Sequence, residues 1–292
     1  MYSIRLYFSF ILTVLIAPIV FGQDSTSVLN DAQELYDNQQ YESVIAILDS
    51  VNEPELLGQI EMLKGDAQHK LGHFQLAIRN YDAAEKAKLN TLELFFHRGA
   101  ALISIGNYTK ASKDLSKAIS IDKEYADLYF YRAYAYTELF KYEKAIADYS
   151  TAIIINPNYA AAYYNRGAVR VDMGLLELGE SDFEEASRFG QGSLDVSFNL
   201  AIIAYEKQEY EKAINMLEEL LDTQDINQKI DAYYYLGECN YQLDETEASC
   251  EYFKEAMQLG DSYSEEIYYN YCEKGKLRKT IKERRKTNKI TF

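Results

Sequence analysis

The chain has 292 residues, of which 48% are hydrophobic, so it can bury a core and is not a disordered protein. Its formal net charge is −16, and an acidic chain repels phosphates, which excludes nucleic acid as the main partner. Only 3 residues are proline, whereas alanine, leucine, glutamate and lysine are frequent, a composition that favours helices over sheets.

The N-terminus has the layout of a secretory signal peptide. Arg5 precedes an apolar run from Leu6 to Phe21, and small residues at Val20 and Gly22 precede a cleavage point before Gln23. The run is short for a membrane span, which needs roughly 20 apolar residues. We expect residues 1–22 to be cleaved, leaving a periplasmic or secreted chain with no transmembrane segment. An uncleaved N-terminal membrane anchor is the alternative.

Over five successive units the sequence repeats with a period of 34 residues, and further units drift from it: the seventh is displaced by two residues. Four columns keep this offset over five units, which indicates a repeat architecture in which each unit packs on its neighbours. The columns are Gly65, Gly99, Ala133, Gly167 and Ala201; Ala77, Ala111, Ala145, Gly179 and Ala213; Tyr81, Leu115, Tyr149, Phe183 and Leu217; and Ala84, Ala118, Ala152, Ala186 and Leu220.

Each unit is predicted to contain two helices joined by a short turn. In residues 126–159, apolar residues recur at intervals of three and four before and after Phe140, as on one face of each helix. Small residues such as Gly99 and Ala118 should let the two helices approach closely, and Tyr149 should fill the core. Glycines should occupy the turns, where a positive φ strains other residues: Gly72, Gly106 and Gly174.

This helix–turn–helix pattern resembles the tetratricopeptide-repeat (TPR) family. The segments 142–149 and 161–168 are close to the family pattern. The resemblance implies an all-α fold, a right-handed α-solenoid of about seven helix–turn–helix units with a C-terminal capping helix. We place the array at residues 23–263 and the capping helix at 264–274, with Ser264 as its N-cap.

A basic tail follows at residues 275–292. From Lys274 onward nine basic residues are opposed only by Glu283, which gives a net charge of +8 (9 − 1). Because like charges repel, we expect the tail to be flexible unless it contacts a partner, an anionic surface or the acidic array. Any such contact should weaken as the salt concentration rises.

No enzymatic activity, cofactor or metal is expected. The chain contains no phosphate-binding glycine loop, no zinc-protease motif and no nucleophile elbow. His69 and His73 are four residues apart, but Gly72 lies between them at a turn, so they are not predicted to share a metal.

The cysteines are interpreted as core thiols. Cys239 and Cys250 fall in columns that hold small or aliphatic residues in other units, and free cysteine is commonly buried. The alternative is a disulfide bond formed in an oxidising compartment, with Cys272 as the third candidate.

The fifth residue of each unit is aromatic in five successive units, and acidic residues flank it. The resemblance implies that this part of the first helix lines a concave groove, so these side chains are predicted to face solvent and bind a partner. The predicted groove residues are Phe96, Phe130, Tyr164, Phe198 and Tyr234, with the acids Glu93, Asp127, Glu138, Asp172 and Glu206. The family pattern tolerates aromatic and acidic residues there, so default sequence is the alternative explanation.

The sequence therefore predicts a non-catalytic protein–protein interaction scaffold. An extended or helical segment of a protein or peptide would bind in the aromatic and acidic groove. The alternative is a structural or assembly subunit of a cell-envelope complex that contacts its partners through the convex face and the basic tail. On the first hypothesis, replacing Phe130 and Tyr164 by alanine should abolish binding and leave stability nearly unchanged.

Overall fold

The computed structural model describes residues 25–190 and 192–274. The predictions for residues 1–22 and 275–292 lie outside that range. Every regular element in the described ranges is a helix, and the α-helices are α1 (Ser25–Asp37), α2 (Tyr41–Asp49), α3 (Leu57–Lys70), α4 (Phe74–Lys86), α5 (Leu92–Ser104), α6 (Tyr108–Ile121), α7 (Ala126–Glu138), α8 (Tyr142–Ile155), α9 (Ala160–Asp172), α10 (Leu176–Arg188), α11 (Ser193–Glu206), α12 (Tyr210–Glu218), α13 (Ile226–Gln242), α14 (Thr246–Gln258) and α15 (Ser262–Ile267).

The helices from α1 to α14 pack as seven consecutive pairs, each joined by a short turn. This confirms the predicted all-α architecture of seven helix–turn–helix units followed by a terminal helix. A 3₁₀ segment, Glu219–Asp222, extends α12, and a π-helical segment, Tyr268–Glu273, extends α15. The chain divides into two compact units: Met1–Leu89 carries α1 to α4, and Asn90–Phe292 carries α5 to α15.

The turn inside each pair contains one residue with a positive φ, between 55° and 77°. This left-handed residue reverses the chain after the first helix, and only glycine adopts it without a steric penalty from Cβ. The prediction for the three glycines is confirmed, but four other turns use larger residues. The seven residues are Gln39, Gly72, Gly106, Phe140, Gly174, Gln208 and Asp244.

Small residues bring the two helices of a pair into contact, as the sequence predicts. A Cβ atom added to Gly99 would lie 3.0 Å from the Leu115 side chain, and one added to Gly65 would lie 2.5 Å from the Tyr81 ring. Ala118 is fully buried, and so is Tyr149, which confirms its predicted place in the core. The close approach is therefore set by the absence of side-chain atoms at the crossing point.

Three arginine–aspartate ion pairs occur in the second compact unit, and each of them joins the two helices of one helix pair. Each arginine lies on the first helix and each aspartate on the second, and the spacing repeats every 34 residues. The pairs are Arg98–Asp114, Arg132–Asp148 and Arg166–Asp182, with closest N–O distances of 2.6, 2.7 and 2.7 Å. The sequence analysis missed them, although an arginine and an aspartate sixteen residues apart recur in the repeat.

Two of these arginines also connect neighbouring helix pairs. Arg132 donates to the Ser116 hydroxyl at 3.0 Å, and Arg166 donates to the Ser150 hydroxyl at 2.9 Å. Each serine lies on the second helix of the preceding pair. The planar guanidinium can make both contacts at once because its N–H groups point in fixed, divergent directions.

The terminal helix differs from the prediction at its start. Ser264 is not the N-cap: Asp261 is, and its carboxylate accepts hydrogen bonds from the Ser264 amide and hydroxyl at 3.0 and 2.6 Å. Asp261 and Ser264 are buried, and Ile267 joins the core of the last pair. The helix therefore begins at Ser262, about one turn earlier than a helix capped by Ser264 would begin.

Two of the cysteines form a disulfide. Cys250 on α14 is bonded to Cys272 in the π-helical segment, and their Cα atoms are 5.8 Å apart. The interpretation of Cys250 as a core thiol is therefore wrong, because the terminal segment packs back on α14 and brings the two residues together. Cys239 is a buried thiol, as predicted, and burial raises its pKa to about 12.

Candidate partner-binding surface

The first helices of the second compact unit lie side by side. Helix α5 packs on α7, α7 on α9, α9 on α11 and α11 on α13, whereas successive second helices show no comparable packing in the described ranges. The first helices are therefore the more closely spaced layer. We call the accessible surface of α5, α7, α9, α11 and α13 the first-helix face, and all the predicted groove residues lie on these helices.

Three of the five predicted groove aromatics lie in the core. Phe130, Tyr164 and Tyr234 are 4%, 2% and 3% exposed, so the prediction that they face solvent is wrong. The reason is that each of these three rings points toward the second helix of its own pair. There it packs against a fully buried aromatic ring: Phe130 on Tyr149 at 5.7 Å, Tyr164 on Phe183 at 5.4 Å and Tyr234 on Phe253 at 5.9 Å between centroids.

The other two predicted groove aromatics, Phe96 and Phe198, are half-buried and remain partly accessible to solvent. Phe96 contacts Tyr125 and Tyr131, with centroid distances of 5.7 and 5.3 Å. Phe198 contacts Tyr235 at 5.9 Å. These two rings can present an edge to a partner, whereas the three buried rings cannot without opening the core.

The predicted acidic residues are accessible to different degrees. Glu93 and Glu206 are exposed, and Asp127, Glu138 and Asp172 are half-buried. Within the described ranges, no lysine or arginine lies within ion-pair distance of four of them, Glu93, Asp127, Glu138 and Glu206. By contrast, the core aspartates Asp114, Asp148 and Asp182 are each paired with an arginine.

Tyrosines surround the Asp127 carboxylate. Tyr159, in the loop before α9, donates its hydroxyl to Asp127 Oδ1 at 2.6 Å. Tyr125 lies in the equivalent loop one unit earlier and is 37% exposed, and Tyr131 follows on α7. We call Glu93, Phe96, Tyr125, Asp127, Tyr131 and Tyr159 the tyrosine–carboxylate cluster.

Burial and the negative charge of Asp127 raise the pKa of Tyr125, Tyr131 and Tyr159. These hydroxyls therefore stay protonated and can donate hydrogen bonds at neutral pH. The sequence analysis missed the three tyrosines. The available signal was the 34-residue spacing between Tyr125 and Tyr159, which marks a repeated position outside the predicted helices.

Glu138 has a similar setting at the other end of α7. It lies beside Tyr108 and Tyr134, whose ring centroids are 6.1 Å apart, and burial together with the charge of Glu138 raises the pKa of both hydroxyls. Carboxylates bordered by aromatic rings attract cations through charge and through the ring faces. The first-helix face therefore offers sites suited to lysine or arginine side chains.

No group of histidine, cysteine and acidic residues that could hold a metal ion occurs in residues 25–190 and 192–274. Over the same residues, no helix has the length and apolarity needed to cross a membrane.

Two family models match the chain. One, described as TPR repeat, covers residues 99–139 and 134–174, and another, described as tetratricopeptide repeat, covers residues 198–264. No curated protein sequence matches the chain.

Several solved structures have a similar fold. The MamA protein is 26% identical, with a TM-score of 0.54 over 57% of this chain and 91% of its own. YrrB, described as a TPR protein with an unusual peptide-binding site, is 21% identical, with a TM-score of 0.52 over 59% and 90%. The C-terminal part of a TPR repeat-containing protein from Cytophaga hutchinsonii is 15% identical, with a TM-score of 0.66 over 82% and 98%. The last two likenesses, below 25% identity, concern the fold alone.

Proposed function

Since this chain belongs to the tetratricopeptide-repeat family, we propose that it is a scaffold that binds a basic or neutral segment of another protein on the first-helix face. Proteins of this family are in general non-catalytic interaction scaffolds. YrrB, which shares the fold, is described as having a peptide-binding site. A repeat array suits this task because its helices present a long surface to an extended or helical ligand.

The observation that carries the proposal is the contrast between two sets of carboxylates. The core aspartates are neutralised by arginines, but Glu93 and Asp127 of the tyrosine–carboxylate cluster have no cationic partner in the described ranges. Unpaired carboxylates repel one another and acidic competitors. A lysine or arginine from a partner would relieve this repulsion and contact the rings of Phe96 and Tyr125.

The test uses the full-length protein and a fluorescein-labelled twelve-residue peptide of alternating lysine and leucine, with a twin in which glutamate replaces each lysine. Replacing Glu93 by Gln and Asp127 by Asn should weaken binding of the basic peptide about tenfold, a loss of about 1.4 kcal/mol. Fluorescence anisotropy should show that the same double variant does not weaken binding of the acidic twin, because the two carboxylates contribute nothing to an acidic ligand. The affinity for the basic peptide should fall as salt is added.

The matched control removes the same charge elsewhere. Glu211 and Glu247 are exposed residues in the first turns of α12 and α14, so they lie off the first-helix face. Replacing both by glutamine should leave the affinity for the basic peptide within about twofold of the parent value. Equal weakening by the two double variants would show that net charge alone attracts the peptide, and would contradict the proposed surface.

We also propose that the chain is exported and acts in the periplasm or outside the cell. The apolar N-terminal sequence and the Cys250–Cys272 disulfide support this proposal, because structural disulfides persist mainly in oxidising compartments. Intact-mass analysis of the protein from its native cells should show the loss of residues 1–22 and of two hydrogens from the cysteines. Recovery of full-length chain from the membrane fraction, or of fully reduced chain from the cytoplasm, would count against export.

A further inference from the structure

We infer that the turn between α7 and α8 is a second docking point, separate from the first-helix face, which receives an acidic protein segment that carries an apolar side chain. The inference rests on Phe140 and its surroundings. It does not depend on the function proposed for the first-helix face.

Phe140 occupies an unfavourable position for an aromatic residue. Its φ is +55°, in the left-handed region, and its side chain is 79% exposed. The other six turns place glycine, glutamine or aspartate at this position. A bulky residue is disfavoured there because its Cβ atom crowds the backbone. An exposed ring buries little apolar surface, so the hydrophobic effect does not offset this cost. The Phe140 ring makes an edge contact with Tyr142, at 6.2 Å between centroids, and this contact leaves most of the Phe140 side chain exposed. A strained and exposed aromatic residue of this kind indicates a functional surface.

Neighbouring turns extend the apolar surface on both sides of Phe140. Ile105, at the end of α5, is 37% exposed, and Met173 and Leu175, between α9 and α10, are 37% and 39% exposed. Because the repeat places these turns on the same edge of the second compact unit, they form a row with Phe140 at its centre. We call Ile105, Phe140, Met173 and Leu175 the apolar turn row. The next turn, at Lys207, Gln208 and Glu209, is polar and ends the row.

Exposed lysines lie beside Phe140, together with the half-buried acids Glu138 and Asp172, both close enough to Tyr142 for their charges to act on it. Lys141 and Lys144 are exposed, and their ammonium nitrogens lie 6.0 and 5.7 Å from the centroid of the Tyr136 ring. Lys110 and Lys113 are exposed at the start of α6, and Glu143 is the intervening acid on α8.

Within the described ranges, none of these four lysines lies within ion-pair distance of a carboxylate. A basic patch on a chain with a net charge of −16 favours an anionic ligand.

The shape and total charge favour a narrow protein segment over an anionic bilayer. A bilayer is a broad surface and would face the acidic body as well as the turn, so the net charge of −16 would oppose its approach. A segment meets only the apolar turn row and the adjacent lysines. The protruding Phe140 ring would then pack against an apolar side chain of the segment, while the lysines pair with its acids.

The test uses the full-length protein and a fluorescein-labelled ten-residue peptide of aspartate and glutamate with one leucine and one phenylalanine. Phe140→Gly should weaken binding about tenfold by fluorescence anisotropy, because it removes the protruding ring. The same variant should be no less stable than the parent in urea unfolding, because glycine relieves the positive φ. Replacing Lys141 and Lys144 by glutamine should also weaken binding and reduce its dependence on salt.

Gln208→Gly is the matched control. Gln208 has a φ of +63° at the same position of a polar turn two units further along the chain, so this variant changes the backbone preference without touching the apolar turn row. It should bind the acidic peptide with parent affinity. The Glu93→Gln, Asp127→Asn variant should also bind the acidic peptide at least as well as the parent, which separates this surface from the first-helix face.

The inference is overturned if the parent protein does not bind the acidic peptide at low salt. It is also overturned if Phe140→Gly binds it with parent affinity. If phosphatidylglycerol vesicles sediment the parent but not Phe140→Gly, and the peptide does not compete, the ligand is a membrane surface and the inference of a protein segment is wrong.

Discussion

Replacing Phe130 and Tyr164 by alanine should destabilise the second compact unit severely, by about 3–5 kcal/mol for each ring removed. Phe130 stacks on Tyr159 at 5.1 Å between centroids and also packs on Tyr149. The Tyr164 hydroxyl accepts a hydrogen bond from the Asn199 amide at 3.0 Å. Both rings are almost completely buried, so each truncation leaves a cavity that rigid neighbouring helices cannot close.

Urea unfolding followed by far-ultraviolet circular dichroism should show the loss for each single variant and a larger loss for the pair. Phe198→Ala is the control at the same repeat position, because Phe198 is only half-buried and packs at the margin of the core. Its effect should be clearly smaller than that of either buried ring. A double variant with the parent's unfolding midpoint would contradict the assignment of Phe130 and Tyr164 to the core.

Replacing Asp114 by alanine should cost about 3–5 kcal/mol, because it removes both carboxylate oxygens that pair with the buried Arg98 guanidinium. The pair is bidentate: Arg98 Nε donates to Asp114 Oδ2 at 2.6 Å and Nη2 donates to Oδ1 at 2.9 Å. The two side chains are only 6% and 9% exposed, so water cannot replace the lost carboxylate. The free energy of unfolding from urea titration measures the effect.

The double variant Arg98→Met, Asp114→Leu provides the decisive comparison. Because it removes both charges and replaces them with apolar side chains, it should be much more stable than Asp114→Ala alone. Glu185→Ala is a surface control: its partner Arg188 is 71% exposed at 3.4 Å, so the loss should stay below about 1 kcal/mol. Equal losses for the single and double variants at the core pair would show that packing, and not the loss of the ion pair, sets the stability there.

The repeat period, the helix pairs and the small residues at the crossings all follow from the amino-acid sequence. These features are local: each unit packs on its neighbours, so a 34-residue pattern contains most of the information needed for its own helices. The positive φ at Gly72, Gly106 and Gly174 follows from the same local logic, since glycine marks the reversal between two apolar faces. The core position of Tyr149 was predictable because its column is aromatic or aliphatic in every unit.

The direction of the fifth-column side chains was decided only by the tertiary structure. A small rotation of the first helix about its axis moves that column between groove and core, and the helical period does not specify this rotation. For Phe130 and Tyr164, the contact with a buried aromatic ring of the second helix turns the side chain toward the core. The groove prediction therefore placed the acids at accessible positions, as the structure does, but it wrongly placed three core rings at the surface.

Other features depend on residues that are distant in the sequence. Tyr159 reaches Asp127 across 32 positions, and Cys272 reaches Cys250 only because the terminal segment packs on α14. The exposed ring of Phe140 was placed in a turn by the sequence, but its positive φ and its exposure emerged from the backbone geometry. A periodic sequence specifies which residues share a column; the packing of neighbouring helices decides which of those columns meet a partner.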